Sequence, residues 1–554
     1  MSSVRLPRSA ATWLALALGG CALAPAAALA WERPTVLSPP TDWVVGPSLA
    51  VDRRGDALLA WSRGIASTEE FGLPPAARVE ASLRPSGAPG WAVAQPLSPS
   101  GELALDPHPL LLPSGAAIVT WTTVRRGIVD VTASEGVNPG HGWTLAPLDM
   151  ETGVWVERRV ATGADGTLAI AELDPWSERP ALRVRTRASD GAWSESTPPS
   201  LPTREAPEIS LAPDGTVLLA ALEERGASPN REGRARLVSA AWDPAVQAWG
   251  ARQQMLFLRG GAGSLRIVAG PDGTTTAAWT LRRRGGFAVV AASRPPGGTF
   301  GTPRILGQGS PAPDLQLAAS TGGTVFVGWY GRRGPRIRVL RPGGDWSAPE
   351  EPPPGVCVEP QSLAALAAGP SGEALVVALA GYANDWHPGL VRAWVRRAGG
   401  SWAGPVWLSR AFAGSPVAAI DGAGRMHVAW SRESARPARV EATSSTLAEA
   451  EVAGIPQDAV PTVSGVRVVA RGRARVVRFR LTQAGGVLIS LRPRRRAGVE
   501  PRELRVLGRR GANAVALGVR GPGRVPPGRW TASVRFARGF IAGCPVTSAP
   551  FTIG

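Results

Sequence analysis

The chain has 61 basic side chains, and every one is arginine. Schiff-base chemistry, a phosphate-loop lysine and lysine-linked cofactors therefore have no residue to work with. Only two tyrosines are present. Tyr330 directly follows a recurring Trp and precedes Gly-Arg-Arg-Gly, whereas Tyr382 belongs to the stretch GYANDWHPG, which gathers Tyr382, Asn384, Asp385, Trp386 and His387 within six residues. An aromatic surface flanked by hydrogen-bonding groups suits stacking on a sugar or gripping a peptide. The same residues equally suit a loop in which Trp386 packs onto its own sheet and Asp385 caps a turn. Four histidines, His108, His141, His387 and His427, stand at no metal-ligand spacing. There is no Gly-x-Ser-x-Gly elbow, no His-Glu-x-x-His and no dinucleotide glycine fingerprint. The expectation is that the chain needs neither metal nor cofactor.

These residues sit on a repeating framework. The stretches PSLAVDRRGDALLAW (47–61), PHPLLLPSGAAIVTW (107–121), LRIVAGPDGTTTAAW (265–279), LQLAASTGGTVFVGW (315–329) and PVAAIDGAGRMHVAW (416–430) each place a Trp six residues after a turn glycine. Three weaker copies keep Gly166, Gly215 and Gly372 with their apolar runs but lose the Trp. Eight units result, spaced by about 50 residues, with turn glycines at 55, 115, 166, 215, 273, 323, 372 and 424. Each unit has two short apolar runs about a glycine turn, which predicts a β-hairpin, then a third run rich in Val, Ala and Arg. A fourth run opens on an aromatic: Trp91, Trp143, Trp193, Trp249, Phe300, Trp346 or Trp402. Four short antiparallel strands at this period predict an all-β, eight-bladed or seven-bladed β-propeller over residues 31–457.

The eighth unit lacks an aromatic opening to its fourth run, while WERPTVLSP (31–39) reads as a fourth strand with nothing before it. The expectation is that the N-terminus completes the last blade and so protects the sheet edges. The run TLAEAEVAG (446–454) is the other occupant of that slot.

The turns ASDGAWSES, RPGGDWSAP and RAGGSWAGP resemble a degraded Asp-box, S-x-D-x-G-x-x-W, of sialidase-like (BNR-type) β-propellers, nearest at Asp190, Gly191 and Trp193. The resemblance covers residues 31 to about 455 and implies the fold; folds host many functions. Sialidase-like enzymes add a tyrosine nucleophile with a glutamate partner, three arginines around a substrate carboxylate and an acidic acid/base group. This chain has no F/Y-R-I-P segment near its N-terminus. Eight-bladed quinoprotein dehydrogenases have a shorter glycine-to-Trp distance and an adjacent cysteine pair, which is missing here.

After Gln457 the repeat stops. Residues 458–554 alternate apolar residues with arginines, predicting strands with one wet face, and resemble the small Ig-like or fibronectin-like β-sandwiches that close secreted bacterial proteins. From Val460 onward 19 arginines face only Glu500 and Glu503, so almost all of the chain's formal charge of +18 lies there. Arg471, Arg473, Arg475, Arg494, Arg495 and Arg496 are expected to contact a polyanion. Residues 1–30, with Arg5, Arg8, an apolar run and Ala28-Leu29-Ala30, read as a signal peptide. Lipidation at Cys21 is the alternative. No later run is long enough for a membrane span. Cys357 and Cys544 then remain as one bridge or two separate thiols. The expectation is an exported, non-enzymatic interaction protein of the cell envelope. Its partners are anionic polysaccharide, wall polymer or lipid headgroups rather than nucleic acid, with a protein or glycan on the loop face. A glycan-directed hydrolase of sialidase-like type is the alternative.

Overall fold

A computed structural model describes residues 29–553 apart from 42, 65–75, 126–127, 137–143, 147–156, 164, 175–180, 202–205, 226–232, 256–257, 284–285, 310–313, 332–333, 354–359, 381–388, 410–412, 433–437, 451–462, 472–473, 482–484, 494–501, 518–524, 526, 539–540, 543–545 and 548. The described residues are all-β, and no helix among them is long and apolar enough to cross a membrane.

Each sequence repeat folds as an antiparallel sheet in chain order. In the first unit Trp43–Val51, Ala57–Gly64 and Ala77–Arg84 pair successively, followed by the short Gln95–Pro96. All eight turn glycines adopt φ between +76° and +95°, a region that costs a side-chain-bearing residue energy and fixes the tight first hairpin. The sixth unit has three strands, Leu315–Ala319, Val325–Gly331 and Gly334–Leu340. Its fourth run is reduced to the isolated bridges Leu340↔Trp346 and Ile337↔Glu350.

The second strands are apolar on both faces because both faces are covered. Apolar cores lie between consecutive units all along the repeat. One more core, with Val44, Leu59 and Trp61 of the first unit and Ala429, Val440 and Ala442 of the eighth, joins the ends of the series. The recurring Trp61, Trp121, Trp279, Trp329 and Trp430 are all at most 1% exposed, and each enters the core shared with the preceding unit. Burying a side chain of this size contributes about 2–3 kcal/mol. The fourth-run aromatics follow the same rule: Trp91, Trp193, Trp249, Phe300, Trp346 and Trp402 each pack against the core facing the preceding unit. Where the second-strand Trp is lost in the seventh unit, Ala378 takes its place and Trp394 of the third strand fills the same core.

The N-terminal segment fills the fourth position of the eighth unit. Leu29–Trp31 and Thr35–Val36 pair antiparallel with Val440–Ala450, through Leu29↔Ala450, Trp31↔Ser445, Thr35↔Ala442 and Val36↔Glu441. Trp31, 8% exposed, enters the core between the seventh and eighth units, where the fourth-run aromatic of that unit would lie. Residues 446–450 extend the third strand and so do not occupy the fourth position. Among the described residues the first paired one is Leu29, two residues ahead of the expected mature start.

Beyond residue 462, Val463–Arg471, Ala474–Leu481 and Gly511–Leu517 form one sheet, and Arg502–Gly508, Gly485–Pro493 and Gly528–Arg538 lie in another. Val477, Phe479 and Leu481 of the first share a core with Val487, Ile489, Leu491, Trp530 and Val534 of the second.

Candidate functional site

The stretch Tyr382, Asn384, Asp385, Trp386 and His387 lies outside the described residues, as do Arg473 and Arg494, Arg495 and Arg496. Beside that stretch, Leu390 opens a third strand on which Arg392 is buried, with its guanidinium 3.8 Å over the Trp407 ring. Burial lowers the pKa of Arg392 to about 10, and nearby Tyr330, itself buried, works in the opposite direction. Tyr330 belongs to the core.

A ring of equivalent positions emerges seven residues before each turn glycine. It reads Ser48, His108, Arg159, Glu208, Arg266, Gln316, Ala365 and Val417. Each sits on a first strand opposite the residue that precedes the recurring Trp position, for example Ser48↔Ala60, Arg266↔Ala278 and Val417↔Ala429. Side chains reach from unit to unit along this ring. Arg159 Nε lies 3.3 Å and Arg266 Nη1 3.1 Å from the same Glu208 Oε1, and Gln316 Nε2 donates to Leu363 O at 3.2 Å. Next to Arg159, Arg158 donates from Nη2 to Asp106 O, 2.6 Å away, while its buried Nε and Nη1 have no hydrogen-bond partner among the described residues. Asp106 holds φ +51° immediately before Pro107, at a bulge between Leu105 and His108. The same device occurs at Gly46-Pro47 and Ser415-Pro416, which also combine positive φ with a bulged first strand.

The junction between the second and third units departs most from the apolar rule. Six residues after Gly166 stands Glu172 where five other units have Trp. It is 2% exposed, its carboxylate oxygens have no hydrogen bond among the described residues, and Arg185 lies 3.5 Å away. Burial raises the Glu172 pKa, opposed by Arg185 and Arg158. Burial, reinforced by Arg158 and Arg159, lowers His108 to about 3. The buried Thr120 hydroxyl, opposite His108, also has no partner among the described residues. This cluster holds a neutral imidazole and cationic guanidinium donors, a composition suited to an anion or a hydrogen-bond acceptor.

A second polar network lies where the ends meet. Arg84, 2% exposed, donates from Nη1 and Nη2 to the two Glu32 carboxylate oxygens at 2.6 and 2.7 Å and from Nη1 to Ser444 Oγ at 3.0 Å. His427 Nδ1 lies 2.9 Å from Ser444 Oγ and its Nε2 3.2 Å from Asp421 Oδ2. Ser, His and Asp in sequence suggest nucleophilic catalysis. Here all three are at most 2% exposed, and Asp421 Oδ1 accepts from the Ala423 and Arg425 backbone amides. The geometry belongs to a structural clamp.

In the C-terminal region Arg471 is exposed, and Arg475 is half-buried with Nε donating to Thr552 O at 2.9 Å. The structure adds Arg467, Arg478 and Arg480, all exposed, with Arg467 directly opposite Arg478. Among the described residues none of these three forms an ion pair. The small side chains of Ala512 and Ala514 stand beside Arg480 and Arg478 on the next strand. The signal in the sequence is the alternation Arg478, Phe479, Arg480, Leu481, in which the two arginines fall on one face and the apolar residues on the other.

No family model matches the chain, and no curated protein matches it. Among solved structures, it is similar to a fungal alcohol oxidase in complex with copper (12% identity, 95% of this chain and 99% of that one, TM-score 0.36). It is also similar to the GH93 α-L-arabinofuranosidase of Fusarium graminearum (13%, 56% and 98%, 0.34). A third similar structure is the NanB sialidase from Streptococcus pneumoniae (9%, 77% and 71%, 0.33). None of these scores reaches 0.5, so the architecture rests on the strand pairing and cores above.

Proposed function

We propose that the protein is an exported, non-enzymatic interaction protein of the cell envelope, with an eight-bladed β-propeller of degenerate Asp-box type followed by a basic β-sandwich that contacts anionic polymers. The observation that carries this reading is the outward row Arg467, Arg478 and Arg480, with Arg467 and Arg478 in direct opposition. Like charges facing each other across a strand pair are destabilising. An anionic partner relieves that repulsion, and multivalent binding releases its counterions. Anionic polysaccharide, wall polymer and lipid headgroups share this chemistry. In support of a non-catalytic propeller, three of its carboxylates are engaged as internal acceptors: Glu80 for Trp61 and Arg63, Glu441 for Trp430 and Arg432, and Glu350 for Arg396 and Trp402.

The full chain should bind immobilised heparin and vesicles containing anionic lipid at low salt, with retention falling steeply as salt rises. The triple variant R467E/R478E/R480E should elute at clearly lower salt. Retention insensitive to salt, or unchanged in the variant, would overturn the proposal. A glycan-directed hydrolase is the second reading, favoured by the grouping of Arg158, Arg159 and Arg266 on first strands. Turnover in a glycoside panel that disappears in Tyr382→Phe would establish it over the first.

A further inference from the structure

The junction between the fifth and sixth units contains a cleft of about 350 Å³ at the end where the turn glycines lie. That volume falls at the lower end of the range for small-molecule sites, roughly 300–1,000 Å³. Its position follows from the strand plan: the sixth unit's fourth run meets its own sheet only at isolated bridges, so Trp346 is held at Leu340 and little strand continues beyond it. Trp346 packs against the core between the two units, remains partly exposed and lines the cleft. Thr276 and Ser293, whose hydroxyls are 3.1 Å apart, also line the cleft. Arg304 and Asp345 form an exposed ion pair at 3.0 Å across the two units. Asp272 holds the Thr274 hydroxyl at 3.0 Å, and Arg341 completes the charged lining.

We infer that this cleft binds a neutral saccharide. Two carboxylates balance two guanidinium groups along it, so the lining favours neither an anion nor a cation by net charge. It instead offers acceptors and donors side by side with hydroxyls, the complement that vicinal sugar hydroxyls require. The exposed part of the indole supplies the apolar surface on which a pyranose ring stacks. This site is separate from the arginine row proposed to contact polyanions, so the two ligands differ in charge and in location.

The test is saturation-transfer NMR on the full chain with cellobiose, N,N′-diacetylchitobiose and galacturonate as probes at millimolar concentration. A neutral disaccharide should receive saturation and galacturonate should not compete with it. Because Trp346 also supports the inter-unit core, the main variants are Thr302→Trp, which fills the mouth from an exposed position, and the double variant R304A/D345A. Each should weaken binding about tenfold or more, equal to about 1.4 kcal/mol. Absence of transfer to both disaccharides overturns the inference, as does transfer that persists in Thr302→Trp or is suppressed by galacturonate.

Discussion

Two histidines are held neutral by burial, and their titration can be read separately from that of the carboxylates. Burial lowers the pKa of His427, with Asp421 opposing, and lowers His108 to about 3. A folded value below the unfolded one means that the unfolded chain takes up protons first. Stability is therefore full above about pH 6.5 and is lost as pH falls through that value, by up to about 1.4 kcal/mol per pH unit for each histidine. Glu172 acts in the opposite sense, because its raised pKa favours the folded state until pH rises through it. Urea melts of the protein and His108→Gln between pH 7 and 5 separate the two. The wild type should lose more stability across this window than the variant. Parallel curves would show that His108 titrates normally. The sequence revealed the spacing of His108 but not its environment, since Arg158 arrives from a different unit about 50 residues away. The clamp at Glu32 was equally hidden, because Arg84 and Ser444 meet it only when the chain ends come together.

At the scale of the strand, the plan was legible because each unit must solve the same packing problem. Glycine turn, second-strand Trp and fourth-run aromatic are separated by local geometry, and their spacing survives where identity does not. The duplicated ARVEA at 77–81 and 438–442 carries a further signal: both third strands place a glutamate, Glu80 or Glu441, to accept the indole N–H of their unit's Trp at 3.2 Å. The compensating Trp394 was not legible, because Ala378 alone does not say where the missing volume is restored. Removal of these donors gives a direct prediction. Trp430→Phe keeps most of the apolar contact but leaves Glu441 without its indole partner, and should cost about 1–3 kcal/mol in urea melts. Trp430→Ala also opens a cavity and should cost about 3–5 kcal/mol. Equal effects of the two substitutions would show that the indole bond, rather than packing, governs the site.

For the whole molecule, the decisive feature is that the first and eighth units share a core and that the N-terminal segment lies across the eighth. An open stack of repeats unfolds by fraying from its ends, since a terminal unit has one neighbour. A series whose first and last units share a core has no free end, provided its fastening holds. That fastening consists of backbone bonds such as Glu32 N to Ser444 O at 2.8 Å and Leu37 N to Val440 O at 2.9 Å, the buried Trp31, and the Glu32 bridge to Arg84 and Arg425. Hydrogen exchange followed by mass spectrometry should therefore show similar protection in the second strands of the first, fifth and eighth units. A protein lacking residues 1–40 should lose protection first in Ala57–Gly64 and Met426–Ser431, with Thr275–Arg283 affected least. A synthetic peptide spanning residues 29–41 should restore that protection when added in excess, because strand pairing and the Trp31 contact do not depend on covalent continuity. Uniform loss across all units in the truncated protein would mean that the ring unfolds as one block. Unchanged protection would mean that the shared core between the first and eighth units closes the ring without its N-terminal strand.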